Sequence, residues 1–298
     1  NEQYGTSYTY DKHGNIKTMQ RYGKKDAGSN AVSYGLVDNL TMDCTGNQLT
    51  RVADAIPNFA YSPSADFKDK VTATGTIEYT YNKNGSMESD FNKGITKIQY
   101  NSLNLPQVMV INSPTVKAKN YYTYSASGVK LRTEQRYDPT MMTAPITETN
   151  PTNDGLSDYK ITDYISNIVY ETIKSGQNIT NRMRIIVNGG YIEDGQYYFY
   201  LGDHLGNNRI VVRRDGAVVQ KNHYYPFGME LDKMHEQNLY DYSARYMEPA
   251  LGRFTSIDPH AENYYSISPY AYVANNPMRF IDPDGRDFTD RAWDQIIK

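Results

Sequence analysis

Only one cysteine, Cys44, occurs in the 298 residues, so the chain can form no internal disulfide and no cysteine-based metal site, and its stability must come from packing and hydrogen bonding. Cys44 itself reads as a turn residue. Tryptophan is as scarce, with one residue, and no apolar run approaches the roughly 18 residues that a membrane-spanning helix needs. An excess of either charge is missing too. The 31 Lys and Arg stand against 34 Asp and Glu for a net charge of -3, which leaves no field to steer nucleic acid or an anionic membrane. No nucleic-acid partner and no membrane insertion are therefore expected.

Also absent are a G-x-S-x-G elbow, a phosphate-binding glycine loop and a dinucleotide fingerprint, which argues against hydrolase, kinase and dehydrogenase chemistry. The five histidines, His13, His204, His223, His235 and His260, lack metal-ligand spacing and read as turn or surface residues. No cofactor or metal is expected. Neither an initiator Met nor a signal peptide opens the sequence, and it closes at Ile296-Ile297-Lys298 without a polar tail. The expectation is a piece of a longer protein whose targeting signal lies upstream.

What the sequence has in quantity is tyrosine: 29 Tyr against 8 Phe, with a mean hydropathy of -0.72 that is too polar for a conventional oily core. Tyrosine favours strands and joins an apolar ring to a wet end, so it suits thin sheets that face solvent. One pattern recurs: aromatic or apolar residues at i and i+2, a short polar residue, two variable residues, then Gly. Copies begin at Tyr8, Leu40, Tyr79, Tyr122 and Tyr198, and Asn101 to Leu105 is a partial one. Residues at i and i+2 share one face of a strand, while Asp, Asn or Ser at the first turn position and Gly at the fourth suit a type I turn. Each copy is thus predicted to be a strand, a turn and a strand. Asp11, Asp43, Asn82 and Ser125 should accept backbone N–H groups, and Gly14, Gly46, Gly85, Gly128 and Gly206 should take positive φ. Alternating runs at 161–170 and 197–212 read as further strands. The stretches 62–70 and 140–157, rich in Pro, Thr, Asn and Asp, read as exposed loops.

From Tyr197 onward the sequence is more distinctive. Asp203-His204-Leu205-Gly206-Asn207-Asn208-Arg209, Tyr224-Tyr225-Pro226-Phe227-Gly228, Tyr240 to Tyr246, Leu251-Gly252-Arg253-Phe254, Ser256-Ile257-Asp258-Pro259, Asn275-Asn276-Pro277 and Asp282-Pro283-Asp284-Gly285 follow in order. In these residues the chain resembles the RHS repeat-associated core of RHS/YD-repeat proteins, and the upstream turns fit the looser YD repeat. The resemblance implies an all-β fold of antiparallel hairpins, forming a curled sheet or part of a β-cocoon shell with a C-terminal core or plug. It implies a degenerate YD-repeat sheet over 1–190, the core over 191–285 and the start of a variable effector module over 286–298. Residues 289–297 read as an N-capped helix with Trp293, Ile296 and Ile297 on one face, which is why a new module is expected there.

The implied function, in an exported bacterial protein that is secreted or associated with the cell surface, is a structural shell that encapsulates or presents a C-terminal toxin module, its own effector being the main partner and a secretion apparatus or cell-surface component a further one. The alternative is a cell-surface adhesion scaffold without proteolysis. A glycosidase has no support beyond abundant Asp. The only enzymatic activity implied is intramolecular aspartyl self-cleavage near residue 286, with Asp258, Asp282 and Arg245 at the family's catalytic positions. Two close carboxylates cannot both ionise easily, so one would act as acid and the other as base, and the Asn275-Asn276-Pro277 turn could bring them together. The same residues also suit a purely structural role as turn starters. Ala261 stands where the family usually has Gly, and Arg286 where it has a large apolar residue, so slow or absent cleavage is the expectation. Arg253 is expected to form a structural ion pair.

Overall fold

The computed structural model describes residues 3–25, 33–56, 66–71, 73–114, 116–138, 155–230 and 239–290. The chain divides into two compact units, the first formed by Asn1–Met87, His204–Asn207 and Asn222–Lys298, the second by Glu88–Asp203 and Asn208–Lys221. The described strands form open antiparallel sheets and no closed barrel.

The first unit begins with a four-stranded sheet in chain order: β1 (Thr6–Tyr10), β2 (Ile16–Lys24), β3 (Tyr34–Thr45) and β4 (Gln48–Asp54). The alternation in β2 shows why it forms, because Met19, Arg21 and Gly23 point inward while their neighbours are more exposed. β5 (Tyr79–Tyr81) follows. The turn after β1 has the expected chemistry: Asp11 Oδ1 accepts the N–H groups of His13 at 2.8 Å and Asn15 at 2.9 Å. Asn82 does the same for Asn84 and Ser86.

The copy at Leu40 differs. Asp43 lies inside β3, opposite Arg51 of β4, and Cys44 pairs with Leu49, so neither is a turn residue. Thr45 pairs directly with Gln48, leaving a two-residue loop, Gly46-Asn47, to reverse the chain.

Gly85 illustrates a turn that only glycine fits. Its φ is +73°, and a Cβ there would run into the side chain of Ile257 and lie 2.9 Å from the Tyr270 hydroxyl, which donates to the Gly85 carbonyl at 2.7 Å. Replacement by Val is expected to cost about 1–3 kcal/mol of stability; an unchanged denaturation midpoint would refute the strain.

Asp54, at the end of β4, is partly buried, and burial pushes its carboxyl up to about 6 against the N–H groups of Asn39 and Ile56 that favour its charge. A carboxyl raised in the fold stabilises below the unfolded value and loses that contribution as pH rises through about 6. Asp54→Asn keeps the accepting oxygen, so it should stabilise at pH 7 by on the order of 1 kcal/mol after solvent screening and have little effect near pH 4. Thermal denaturation of both proteins at both pH values checks this.

The second unit carries β6 (Met87–Asp90), β7 (Ile95–Tyr100), β8 (Pro106–Asn112), β9 (Lys117–Tyr124), β10 (Lys130–Tyr137) and β11 (Asp158–Ile165). It continues with β12 (Ile168–Ser175), β13 (Asn178–Val187), β14 (Gly190–Glu193), β15 (Gln196–Gly202), β16 (Asn208–Arg213) and β17 (Val218–Lys221). From β6 to β17 each strand pairs antiparallel with the next. The partial copy is a full turn: Asn101 Oδ1 accepts from Leu103 and Leu105, and Asn104 takes the left-handed φ of 58° in place of Gly. Asn tolerates that region better than other non-Gly residues. β12 to β17 bury little, and tyrosine works here as expected: Tyr191 stacks on Tyr198 with ring centres 4.6 Å apart, and the Arg184 guanidinium lies over the Tyr191 ring.

The chain then returns to the first unit as β18 (Tyr240–Asp241), β19 (Tyr246–Glu248) and β20 (Arg253–Phe254), one small sheet, and β21 (Phe280–Ile281) paired with β22 (Thr289–Asp290). This segment meets the first sheet where Arg21 Nη1 donates to the Ala250 carbonyl and Arg253 Nη2 to the Asn47 carbonyl, and Met19, Leu40, Met42, Leu49 and Val52 on the sheet and Met247, Leu251, Phe254 and Tyr270 on the segment are all buried. Thr289 and Asp290 are extended, and the rest of the expected C-terminal helix, with Trp293, lies outside the described residues, as does His235. So do 62–65 and 140–154 of the two loop stretches; the described part of the first is not exposed as expected, because Asp66, Phe67 and Asp69 are buried and the Phe67 N–H donates to the buried Asp38.

Candidate active site

Three segments of the first unit converge on Arg245. Its position is set by the turn Tyr242–Arg245, where Ser243 has φ of 68° and Asp241 Oδ1 accepts the Ser243 N–H. The guanidinium is buried with its carbon 3.5 Å from the Phe254 ring centre, a placement that orients the charged fork. Nη2 makes 3.0 Å contacts to both Asp258 Oδ2 and Asp282 Oδ2, so those two oxygens lie within twice that distance of each other. Nε donates to the Gly285 carbonyl at 2.6 Å and Nη1 to the Pro269 carbonyl at 3.3 Å.

The two aspartates share one guanidinium but not one environment. Asp282 is buried, and its Oδ1 accepts the N–H groups of Gly285 at 2.7 Å and Arg286 at 3.1 Å. Asp258 is less enclosed; its Oδ1 accepts the His260 N–H at 2.8 Å. Burial pushes the Asp258 carboxyl up, the Arg245 charge pulls it back, and the nearby Asp282 adds to the upward push. Burial also lowers the pKa of Arg245 against the pull of both carboxylates. One cation facing two carboxyls favours a proton on one of them, and the raised Asp258 carboxyl is suited to hold it. The cavity they line with Tyr264, Pro269 and Phe288 holds about 20 Å³, enough for a water molecule.

The Asn275 turn brings this about. Val273, Ala274 and Asn275 all take positive φ, and Asn275 Nδ2 donates to the Gly14 carbonyl at 2.8 Å, so the chain doubles back between the two Asp-Pro pairs. Gly285 has φ of +78°, and a Cβ there would lie 2.8 Å from the Tyr242 carbonyl and 2.9 Å from the Arg245 nitrogen. The structure thus brings Asp258, Asp282 and Arg245 together as the sequence suggested, with both aspartates also starting turns.

Arg253 differs from expectation. Among the described residues it forms no ion pair; Nη2 donates to the Asn47 carbonyl at 2.7 Å and the guanidinium lies over Tyr270. The carbonyl at the Gly46-Asn47 loop faces it where a carboxylate was expected. His204 Nε2 lies 3.0 Å from the Met278 carbonyl. His260, read from sequence as a turn residue, has a further contact: Nδ1 is 2.8 Å from Asp287 Oδ2. No motif marked Asp287 or Tyr264 in the sequence.

No family model matches the chain. It is 26% identical over 304 aligned positions to the tRNA3(Ser)-specific nuclease WapA of Bacillus spizizenii, an alignment that covers 93% of this chain and 11% of that protein. It is 31% identical over 167 residues to salivary gland surface protein 1 of Aedes aegypti, covering 46% of this chain and 5% of that one. Among solved structures, the TcdB2-TccC3-Cdc42 crystal structure superposes with a TM-score of 0.63 at 16% identity, over 94% of this chain and 15% of that one. The chain is related to RHS-repeat proteins. The Tc holotoxin pore of Photorhabdus luminescens gives a TM-score of 0.61 at 16% identity, again over 94% of this chain. At that identity the likeness shows the shared fold, the antiparallel all-β architecture of RHS shells. This RHS-related chain spans about a tenth or less of the curated relatives named above.

Proposed function

We infer that this chain is a shell segment of a longer exported bacterial toxin protein, that it encloses or presents an effector module beginning at residue 286, and that its Arg245–Asp258–Asp282 cluster cuts the chain near residue 286. The reading divides the chain as the sequence suggested, into repeats over 1–190, the core over 191–285 and the module after it. The observation that carries it is the convergence of two carboxyls and one guanidinium on the backbone at Gly285 and Arg286. The carbonyl of the Gly285–Arg286 peptide accepts from Arg245 Nε, and its N–H donates to Asp282.

In this reading Asp282, holding the charge, accepts a proton from the attacking water. Asp258, holding the proton, gives it to the peptide carbonyl; as the C–N bond breaks, Asp282 passes the proton it took from water to the departing amine and the diol hydroxyl returns one to Asp258. A C–O bond forms, the C–N bond breaks, and the products are a carboxylate and a free amine. Arg245 stabilises the oxygen charge that develops in between. The alignment of 93% of this chain with part of the WapA nuclease supports a toxin context for the shell. Likeness to the Aedes surface protein supports a second reading, a surface scaffold in which the same cluster is only a plug.

The test is the intact mass of the chain purified at neutral pH, with acid avoided because Asp-Pro bonds also break chemically in acid. Loss of the residues after the cut, near 286, is expected. A chain that stays whole rules out self-cleavage and leaves the scaffold reading.

A further inference from the structure

The segment after Gly285 is held from both sides, and only one side belongs to the aspartate cluster. Upstream, Arg245 and Asp282 grip the Gly285 carbonyl and the N–H groups of Gly285 and Arg286. Downstream, Asp287 is gripped by His260 Nδ1 at 2.8 Å on one carboxylate oxygen and by the Tyr264 hydroxyl at 3.1 Å on the other. Both partners come from the stretch just past Asp258, Tyr264 one residue beyond the 3-10 turn Ala261–Asn263. The His260 N–H donates to Asp258 Oδ1, so one residue bonds the cluster through its backbone and Asp287 through its ring. Phe288 continues the contact, its ring 5.1 Å from Tyr264 and 5.2 Å from Phe280, while it lines the cavity with both aspartates.

We propose that His260 and Tyr264 are positioning residues that clamp Asp287 and so fix which peptide bond is presented to Asp258 and Asp282. The proposal rests on the self-cleavage reading and adds to it a device for register. A segment anchored on one side only can slide by a residue, and small misplacement of a reacting bond is costly. With anchors at Gly285 and at Asp287, the two peptide bonds between them cannot shift independently. Asp287 recognises its partners through both oxygens, so a residue without a carboxylate would not fill the clamp. The side chains of His260 and Tyr264 touch no reacting atom; they act through Asp287.

The pair is half exposed, so His260→Ala should slow self-cleavage by about two- to five-fold, the range of an exposed charge pair, and should spread the cut over more than one bond. Tyr264→Phe should act in the same direction. His260→Asn, whose side-chain N–H sits where Nδ1 does, should restore a single cut, a rescue that general loosening would not give. Intact mass over time reads both rate and site. Should the wild-type chain not cut at all, the self-cleavage reading fails first, and the clamp is judged separately. Hydrogen exchange of residues 284–290 in Asp258→Asn should speed up when His260→Ala is added. Unchanged rate and site in a cutting chain, or unchanged exchange in the Asp258→Asn background, overturns the proposal.

Discussion

Asp258→Asn and Asp282→Asn are each expected to slow self-cleavage by roughly 10²- to 10⁴-fold, the usual size of a general acid or base contribution, and the double variant should be scarcely worse than either single one. Groups that work as a unit are non-additive, since removing one disables the step that needs both. Neither exchange should unfold the site, because an Asn oxygen can still accept the His260 N–H at position 258, or those of Gly285 and Arg286 at 282. The two should differ in pH dependence. Burial raises the Asp258 carboxyl above the ordinary aspartate range, so its protonated form survives to higher pH than a solvated aspartate would allow. A rate that needs that proton falls as pH rises through the raised value. Asp258→Asn should abolish this alkaline limb together with the activity, and Arg245→Lys, which keeps the charge but loses the fork, should retain less than wild-type rate. Intact mass against time, from about pH 5 to pH 9 to cover the range between perturbed carboxyls and lysines, decides this. Cleavage at wild-type rate in either aspartate variant would sink the assignment.

Arg21→Met is the substitution expected to cost the most stability, about 3–5 kcal/mol, because it strips the partner from a buried carboxylate. Arg21 and Asp38 are both essentially inaccessible, with Nε 2.6 Å from Oδ2. Arg21 Nη1 also donates to the Ala250 carbonyl at 2.7 Å and contacts Met229 Sδ at 2.8 Å, while Asp38 Oδ1 accepts the Phe67 N–H. This one pair therefore ties the first sheet to the returning C-terminal segment. Removing Arg21 leaves the charged Asp38 without a cation, whereas Arg21→Met combined with Asp38→Leu removes both charges and should recover much of the loss. The deficit of the single variant should shrink as pH falls. An unpaired buried carboxyl binds its proton more tightly folded than unfolded, and stability then drops as pH rises. Urea denaturation of the single and double variants at two pH values measures both effects; additive losses would show that the pair is not coupled.

The repeat was legible because its chemistry is local. Asp11, Asn82, Asn101 and Ser125 start turns whose bonds close within four residues, so spacing alone predicted them. Asp43 escaped that logic because cross-strand pairing with β4 decides its place. Arg253 escaped it because its partner, the Asn47 carbonyl, is more than two hundred residues away in sequence and is a backbone atom that no side-chain pattern marks.

The candidate site divides the same way. The sequence by itself determined the all-β hairpin chemistry and the tyrosine-rich thin sheet, which are written in residue type and short spacing, and its RHS resemblance pointed to Arg245, Asp258 and Asp282. Only the tertiary structure decided that a turn with three consecutive left-handed residues doubles the chain back, that both carboxyls meet one buried nitrogen, and that Asp258 and Asp282 differ in burial and donors. It alone joined His260 and Tyr264 to Asp287. Those facts depend on which distant segments share a low-dielectric space, and burial and charge proximity, which set protonation, exist only once the chain has folded.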